Sequence, residues 1–385
     1  MKIKNIEKAS ERIKEAVKNK EQIVIFADSD LDGAASAVIL KETIDNLNYS
    51  KQIAVFFPNR RTEGYGLNKD VLKVICSKFK QGGLLVTLDC GITNYEEVIT
   101  ARNNKFSVII IDHHKEVGDR LPEADIIVDP KQKLDESLFK EYSNAGVTFK
   151  LSEEILGKNT SSLLRESFLE LTALATISDM MIEVEENKEF IIQGLSNIEN
   201  SQRPALQAIM SFLNKNDFKS KRDVVAKINS VLNSARINDH VIASYLLLIE
   251  SNLEKAKILA KSLIEETEIK HREINALTDL IKNEFLNSQL KIIFAGSANW
   301  NIDYLGAAAS RLCNYFEKPI FIYQKYEDIS RGTVRVPKKY DAVKAMENCK
   351  ELLVTFGGHA PAAGFTIKND NINKFEQCLL EYFEK

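Results

Sequence analysis

The sequence predicts an α/β chain whose N-terminal part is built on an open parallel sheet. Apolar runs rich in β-branched residues recur through the first 130 residues, with lysine- and glutamate-rich segments of helical period between them. Acidic residues stand where these runs end. Continuous apolar runs of this kind suit strands buried on both faces.

The expected strands are "QIVIFAD" (22–28), "QIAVFFP" (52–58), "LLVTLD" (84–89), "SVIIIDH" (107–113) and "DIIVDP" (125–130). Ahead of them, "MKIKNIEKASERIKEAVKNK" reads as an amphipathic helix with Ile3, Ile6, Ile13 and Val17 on one face. Residues 140–285 read as mainly helical, and the pattern from about Asn238 onward predicts one or two long connecting helices. Strand signals return at "KIIFAG" (291–296), "PIFIYQ" (319–324), "GTVRV" (332–336) and "AGFTI" (363–367), which predict a second, smaller α/β domain. Glycine-rich linkers and internal repeats are absent.

Composition narrows the class. The 385 residues are 44% hydrophobic and 28% charged, enough for two or three domains with their own cores. No stretch is apolar enough to span a bilayer, and the N-terminus lacks the apolar centre of a signal peptide. Cys76, Cys90, Cys313, Cys349 and Cys378 form no C-x-x-C pair, which argues against a zinc ribbon or a disulfide framework and fits a reducing cytoplasm. The net charge of −3 means that any nucleic-acid binding rests on a local basic patch.

Chemistry concentrates at the strand ends. Asp28, Asp89, Asp112 with His113, and Asp129 close four of the runs, and open parallel sheets bind ligands beyond the carboxyl ends of their strands. In "IVIFADSDLDG" (23–33), Asp28, Asp30 and Asp32 alternate. Alternate residues of an extended chain project to one side roughly 6.6 Å apart, and paired hydrolytic metals lie roughly 3.5–4 Å apart. A solvated loop capping the next helix is the plain alternative for this run alone. Asp89 in "VTLDCG" is the natural bridge between two ions, and His113 adds a nitrogen ligand. An oxygen-rich shell with one histidine favours Mn2+ or Mg2+ over zinc. In "GGHAPAAG" (357–364), paired glycines offer bare N–H groups to an anion and His359 a further donor; a tight turn before a strand is the alternative.

Taken together, "DSDLDG", "LDCG", "DHH", "TISDM" and "FGGHAPAAG" resemble the motifs of the DHH phosphoesterase family, in particular its RecJ-like exonuclease branch, in order along nearly the whole chain. The resemblance implies a catalytic domain over 1–185, a helical insertion and connector over 186–288, and a DHH-associated substrate domain over 289–385, with the active cleft between the first and last. It implies one metal held by Asp28, Asp30 and Asp89 and a second by Asp32, Asp89, His113 and Asp179, with Mn2+ preferred and Mg2+ the second candidate. Asp112 and His114 become the expected catalytic pair, His114 binding the phosphate or protonating the leaving oxygen. Asp129 is left structural, because "VDP" stands where the branch usually carries a neutral residue.

Further stretches resemble the same branch. "RRTEGYGL" (60–67) resembles a loop beside the active site. "NSARIND" (233–239) implies that Asn233 and Arg236 grip a terminal phosphate, although the branch's glycine before the arginine is missing. "GTVRV" implies that Thr333 and Arg335 face the nucleic-acid backbone, and Gly357, Gly358 and His359 hold an adjacent phosphate. Arg331, Arg335, Lys338, Lys339 and Lys344 against a lone Asp341 offer either a track for a single strand or a solvated face.

The activity so implied is metal-dependent hydrolysis of single-stranded nucleic acid, DNA from the 5′ end, in repair, recombination or replication. Two alternatives stay open. One is a nanoRNase or cyclic-dinucleotide phosphodiesterase, whose first motif usually opens with histidine where this chain has Asp28. The other is a replication protein that partners the GINS complex. The chain ends 21 residues after "AAG", ahead of the oligonucleotide-binding barrel that bacterial members usually add, which points to a compact or archaeal-type form. Sugar type and polarity are not read from these motifs.

Overall fold

The structure, a computed structural model, describes residues 2–60, 62–116, 120–214, 218–233 and 236–384. The chain divides into two compact units, Met1–Glu265 and Glu266–Lys385. In the first, strands β1 (Ile23–Ala27), β2 (Ala54–Phe56), β3 (Gly83–Leu88), β4 (Phe106–Ile111) and β5 (Ile126–Val128) form a wholly parallel sheet in the order β2-β1-β3-β4-β5. Four of the strands, β1, β3, β4 and β5, stop just short of an acid, so Asp28, Asp89, Asp112 and Asp129 all lie immediately beyond strand ends.

Side chains of β1 alternate between two cores. Ile23, Ile25 and Ala27 enter one with helices α1 (Ile6–Lys18) and α2 (Leu31–Asp45), while Val24 and Phe26 enter the other with α3 (Lys69–Lys78) and α4 (Tyr95–Asn103). The first core is extended by α5 (Asn144–Leu156), α6 (Ser162–Ser178), α7 (Glu185–Leu195), α8 (Pro204–Phe212), α9 (Lys221–Leu232) and α10 (Ala243–Ile249). Residues 186–265, expected as part of a helical insertion, thus bury their apolar faces in the core of the first sheet. Two short strands, β6 (Ile237–Asn238) and β7 (Val241–Ile242), make a hairpin between α9 and α10. The expected long connector is α11 (Leu253–Phe285), a 33-residue helix that runs from the first unit into the second.

The second unit is a mixed sheet. Strands β8 (Ile293–Ser297), β9 (Ile320–Lys325), β10 (Ile329–Arg335), β11 (Leu353–His359) and β12 (Ala362–Lys368) lie in the order β11-β12-β10-β9-β8, parallel at β8/β9 and antiparallel elsewhere. Helices α13 (Ala342–Asn348) and α14 (Ile372–Glu384) cover one face around Phe365 and Phe375. Helix α12 (Ile302–Phe316) and the C-terminal turns of α11 cover β8 and β9 on the other.

Two expectations are corrected here. Gly357 and Gly358 do not form a loop but lie within β11, an edge strand whose residues 355–359 pair one for one with β12; glycines carry no strand signal of their own, and the ladder supplies it. The cysteines are not all unpaired either. Packing of α13 against α14 brings the Cα atoms of Cys349 and Cys378 to 6.1 Å, and the two form a disulfide, leaving Cys76, Cys90 and Cys313 free.

Candidate metal centre

Order β2-β1-β3 reverses the direction of winding between β1 and β3, and a crevice at such a switch point is where open α/β sheets bind ligands. The first acidic turn leaves β1 there. Asp30 caps α2, accepting from the Gly33 N–H at 3.1 Å, and a side chain on Gly33 would place Cβ 2.1 Å from the Asp28 carbonyl oxygen. That close approach turns the chain so tightly that Asp28, Asp30 and Asp32 serve one site. Asp28 and Asp32 are buried, while Asp30 is partly exposed.

Asp89 leaves β3 with φ 61°, a left-handed conformation that costs an aspartate of order 1 kcal/mol or more. It is buried, and its Oδ1 accepts no hydrogen bond. Burial, and then the charge of Asp32, push its carboxyl well above the usual carboxylate range. His113, beyond β4, has Nδ1 2.8 Å from the Tyr142 carbonyl oxygen. A carbonyl only accepts, so Nδ1 carries the proton and the Nε2 lone pair is presented to the acids. Nε2 lies 3.1 Å from Asp89 Oδ1, 3.7 Å from Asp179 Oδ2 and 3.9 Å from Asp32 Oδ2.

Asp32 takes backbone N–H groups of Asn144 and Ala145, both at 2.7 Å, from the N-terminus of α5. Even so, burial raises its carboxyl to about 7. Asp179 is the residue following α6 and stands partly exposed beside His113. Among the described residues, candidate ligand atoms lie within 4.8 Å of one another in three sets: Asp28, Asp30 and Asp89; Asp32, His113 and Asp179; and Asp89, His113 and His114. Asp89 links the first set to the histidines.

These residues fit divalent metal. A buried carboxylate oxygen without a donor, held in strained backbone among other buried acids, is a cost that a bound cation offsets. The donor set, mostly carboxylate oxygen with one imidazole nitrogen, suits Mn2+ or Mg2+.

Asp112 and His114 differ in kind. Asp112 is fully buried; its Oδ1 accepts from the backbone N–H groups of His113 (2.8 Å) and His114 (3.1 Å), and its Oδ2 from Ile92 N–H (3.0 Å). His114 Nδ1 adds a contact at 2.7 Å to Oδ1. Burial pushes Asp112 up, but His114 and these donors more than offset it and hold the carboxyl below its ordinary value. The Asp112 carboxylate is thus engaged within the fold, by three backbone N–H groups and the His114 ring. The same hydrogen bond raises His114 to about 9, so this half-exposed imidazole is a cation at neutral pH.

Sequence reasoning missed Arg60. Its Nε and Nη2 reach Asp28 at 2.9 and 2.5 Å, and Nη2 also reaches Asp30 at 2.9 Å. Burial pushes Asp30 up, but Arg60 and the Gly33 N–H hold its carboxyl below the usual range. The signal was its place in "RRTEGYGL", a stretch noted without any residue being singled out. The guanidinium also lies 4.7 Å from the centroid of the exposed Tyr65 ring.

Asn233, expected to grip a phosphate, makes side-chain hydrogen bonds within the fold. Its Oδ1 accepts from Leu31 N–H (3.0 Å) and its Nδ2 donates to Ser178 Oγ (2.6 Å). The amide thus ties the start of α2 to the end of α6, next to three of the acids. Arg236 is exposed at the base of the β6–β7 hairpin; Ser234 and Ala235 lie outside the described residues.

In the second unit, register sets out the remaining candidates. Thr333 pairs with Gly364 and Gly364 with Gly357, while Arg335 pairs with Ala362 and Ala362 with His359. Directly paired residues share a face, so Thr333, Arg335, Gly357 and His359 stand together on a partly exposed surface floored by small residues. Arg335 is held by Ser310 Oγ (3.1 Å) and Thr333 Oγ1 (2.9 Å). Gly358 belongs to the opposite face, where a Cβ would meet Ala363, and its φ of 141° also favours glycine.

Residues 22–176 match the model of the DHH family, N-terminal domain, and residues 284–385 that of the DHHA1 domain. The chain belongs to the DHH family. The single-stranded-DNA-specific exonuclease RecJ of Bacillus subtilis is 30% identical over 98% of this DHH chain and 48% of its own length. The Escherichia coli protein of that name is 27% identical over 97% and 68%. The DHH chain therefore spans about half the length of the Bacillus subtilis relative. A crystal structure of exonuclease RecJ bound to manganese superposes with a TM-score of 0.85 at 24% identity, covering 100% of this chain and 96% of that one. That likeness shows the fold.

Proposed function

We propose that this DHH chain is an exonuclease that needs two divalent ions, Mn2+ before Mg2+, and hydrolyses single-stranded DNA from the 5′ end. Asp89 carries the reading: a buried, strained carboxylate with an unsatisfied oxygen, common to the Asp28–Asp30 side and the histidine side of the centre. The names of the relatives support the substrate class.

Asp28, Asp30 and Asp89 would hold one ion, and Asp32, Asp89, His113 and Asp179 the other. When bound, the pair supplies positive charge for the scissile phosphate and acidifies an attacking water. His113 contributes the Nε2 lone pair, its ring fixed through Nδ1–H to Tyr142. His114, anchored through Nδ1 to Asp112, a contact that raises its pKa in the metal-free site, would offer its Nε2 proton to a phosphate or leaving oxygen. Arg60 balances the acids on the Asp28 side. Arg236 would grip the terminal phosphate, and the sheet face bearing Thr333, Arg335, Gly357 and His359 would take backbone phosphates.

The test is digestion of end-labelled single-stranded DNA and RNA oligomers in Mn2+, with and without a 5′-phosphate. Mononucleotide release from the 5′ end of DNA is expected. Preference for RNA or for the 3′ end would keep the metal chemistry and discard the substrate assignment. No cleavage of any oligomer would discard the nuclease reading.

A further inference from the structure

We infer that His240 is a positioning residue that couples the loop carrying Arg60 to the hairpin carrying Arg236. The inference rests on the function proposed above, in which Arg60 balances the metal acids and Arg236 grips the terminal phosphate.

The β6–β7 hairpin turns through Asp239 and His240 with φ 48° and 58°. A two-residue turn with both residues left-handed ordinarily takes Asn-Gly or Asp-Gly, because a side chain at the second position is strained there. A histidine held in such a place has a local cost, and strain of this kind gathers at functional sites. Two contacts restrain it. The His240 carbonyl accepts from Phe57 N–H at 2.8 Å, and its ring lies 6.3 Å from that of Phe56, which docks the turn on the end of β2.

The loop that follows β2 is closed by Glu63. Its Oε2 accepts from Asn59 N–H at 2.7 Å, and its own N–H donates to the Asn59 carbonyl at 2.8 Å, so Arg60 sits inside a loop fixed at both ends. The same Oε2 lies 3.7 Å from His240 Nδ1. Both side chains are largely buried, and that Nδ1 has no hydrogen-bond partner. At the other end of the hairpin, the Arg236 carbonyl accepts from Ala243 N–H at 2.9 Å, so the backbone of Arg236 is part of the same rigid piece. His240 therefore stands beside the closure of one arginine's loop while turning the hairpin of the other. The buried imidazole, packed between Phe56 and Glu63, sets the spacing between a metal-balancing guanidinium and a phosphate-gripping one, and small misplacements of such groups are costly in rate.

Asparagine tolerates the left-handed turn and removes the imidazole, so His240→Asn separates coupling from folding; His240→Gly is the second variant. The readout is kcat and KM on 5′-phosphorylated and 5′-hydroxyl DNA oligomers, with thermal melts of each protein. We expect the parent's melting temperature, kcat/KM for the phosphorylated oligomer lowered by about tenfold, and a smaller loss on the hydroxyl oligomer. Glu63→Gln keeps an oxygen for the Asn59 N–H and removes only the charge facing His240, so adding it to His240→Asn should bring little further loss. An unchanged phosphate preference in both His240 variants, while Arg236→Ala loses it, would overturn the coupling and leave the proposed function standing. If Arg236→Ala also keeps the preference, the phosphate grip fails and the coupling falls with it.

Discussion

Asp89 concentrates the conflict that defines the site: a carboxylate that is buried, backbone-strained and short of a donor on one oxygen. Asp89→Asn keeps the shape and the tolerance for left-handed backbone while removing the charge. It should lower turnover by roughly a thousandfold or more, since a bridging ligand serves both ions. In chelator the variant should melt above the parent, because it relieves repulsion among buried acids; thermal melts with and without Mn2+ check both signs. The pH dependence follows from the same groups. Burial raises Asp32 and Asp129 to about 7, and the hydrogen bond to Asp112 raises His114 to about 9. Raised groups bind protons more tightly when folded, so their stabilisation is complete below the unfolded values, about 4 for Asp and 6.5 for His. It is lost as pH climbs through the folded ones. Asp30 and Asp112 are lowered and matter only as pH falls below about 4. Metal-free protein should therefore melt at progressively lower temperature from pH 5 to pH 9, and added Mn2+ should flatten the trend.

Elements position what residues supply. Helix α2 starts so close to β1 that only glycine fits at residue 33. Gly33→Ala should cost about 1–3 kcal/mol from overpacking, read by urea titration, and should reduce activity more than that loss of stability explains, because Asp30 caps the turn through the Gly33 N–H and Asp32 immediately precedes it. In the second unit, the Cys349–Cys378 bridge spans 29 residues between α13 and α14. Replacing both cysteines with alanine should destabilise that unit by about 3.5 kcal/mol on the loop-entropy account, measured by chemical denaturation under oxidising conditions. Reductant should bring the parent down to the level of the variant.

At the scale of the whole molecule, two sheets of different kind share one chain through α11. The first buries its strands on both faces, so its strands read as unbroken apolar runs in the sequence. The second leaves part of a face open, and there β11, with two glycines and a bulge between Leu353 and Thr355, gave no strand pattern to read. Alternating carboxylates, strand-end acids and the paired histidines are local features, so the sequence by itself marked Asp28, Asp30, Asp32, Asp89 and His113 as members of one candidate site. Position along a chain says nothing, however, about groups that meet through folding. Only the tertiary structure brought Arg60 onto Asp28 and Asp30, turned the His113 Nε2 lone pair toward the acids through the Tyr142 carbonyl, and made Asn233, expected to grip a phosphate, a strut between α2 and α6. Each of these contacts joins residues at least 29 positions apart, and such pairings are decided by the packing of the sheet and its helices, not by any pattern in the neighbouring sequence.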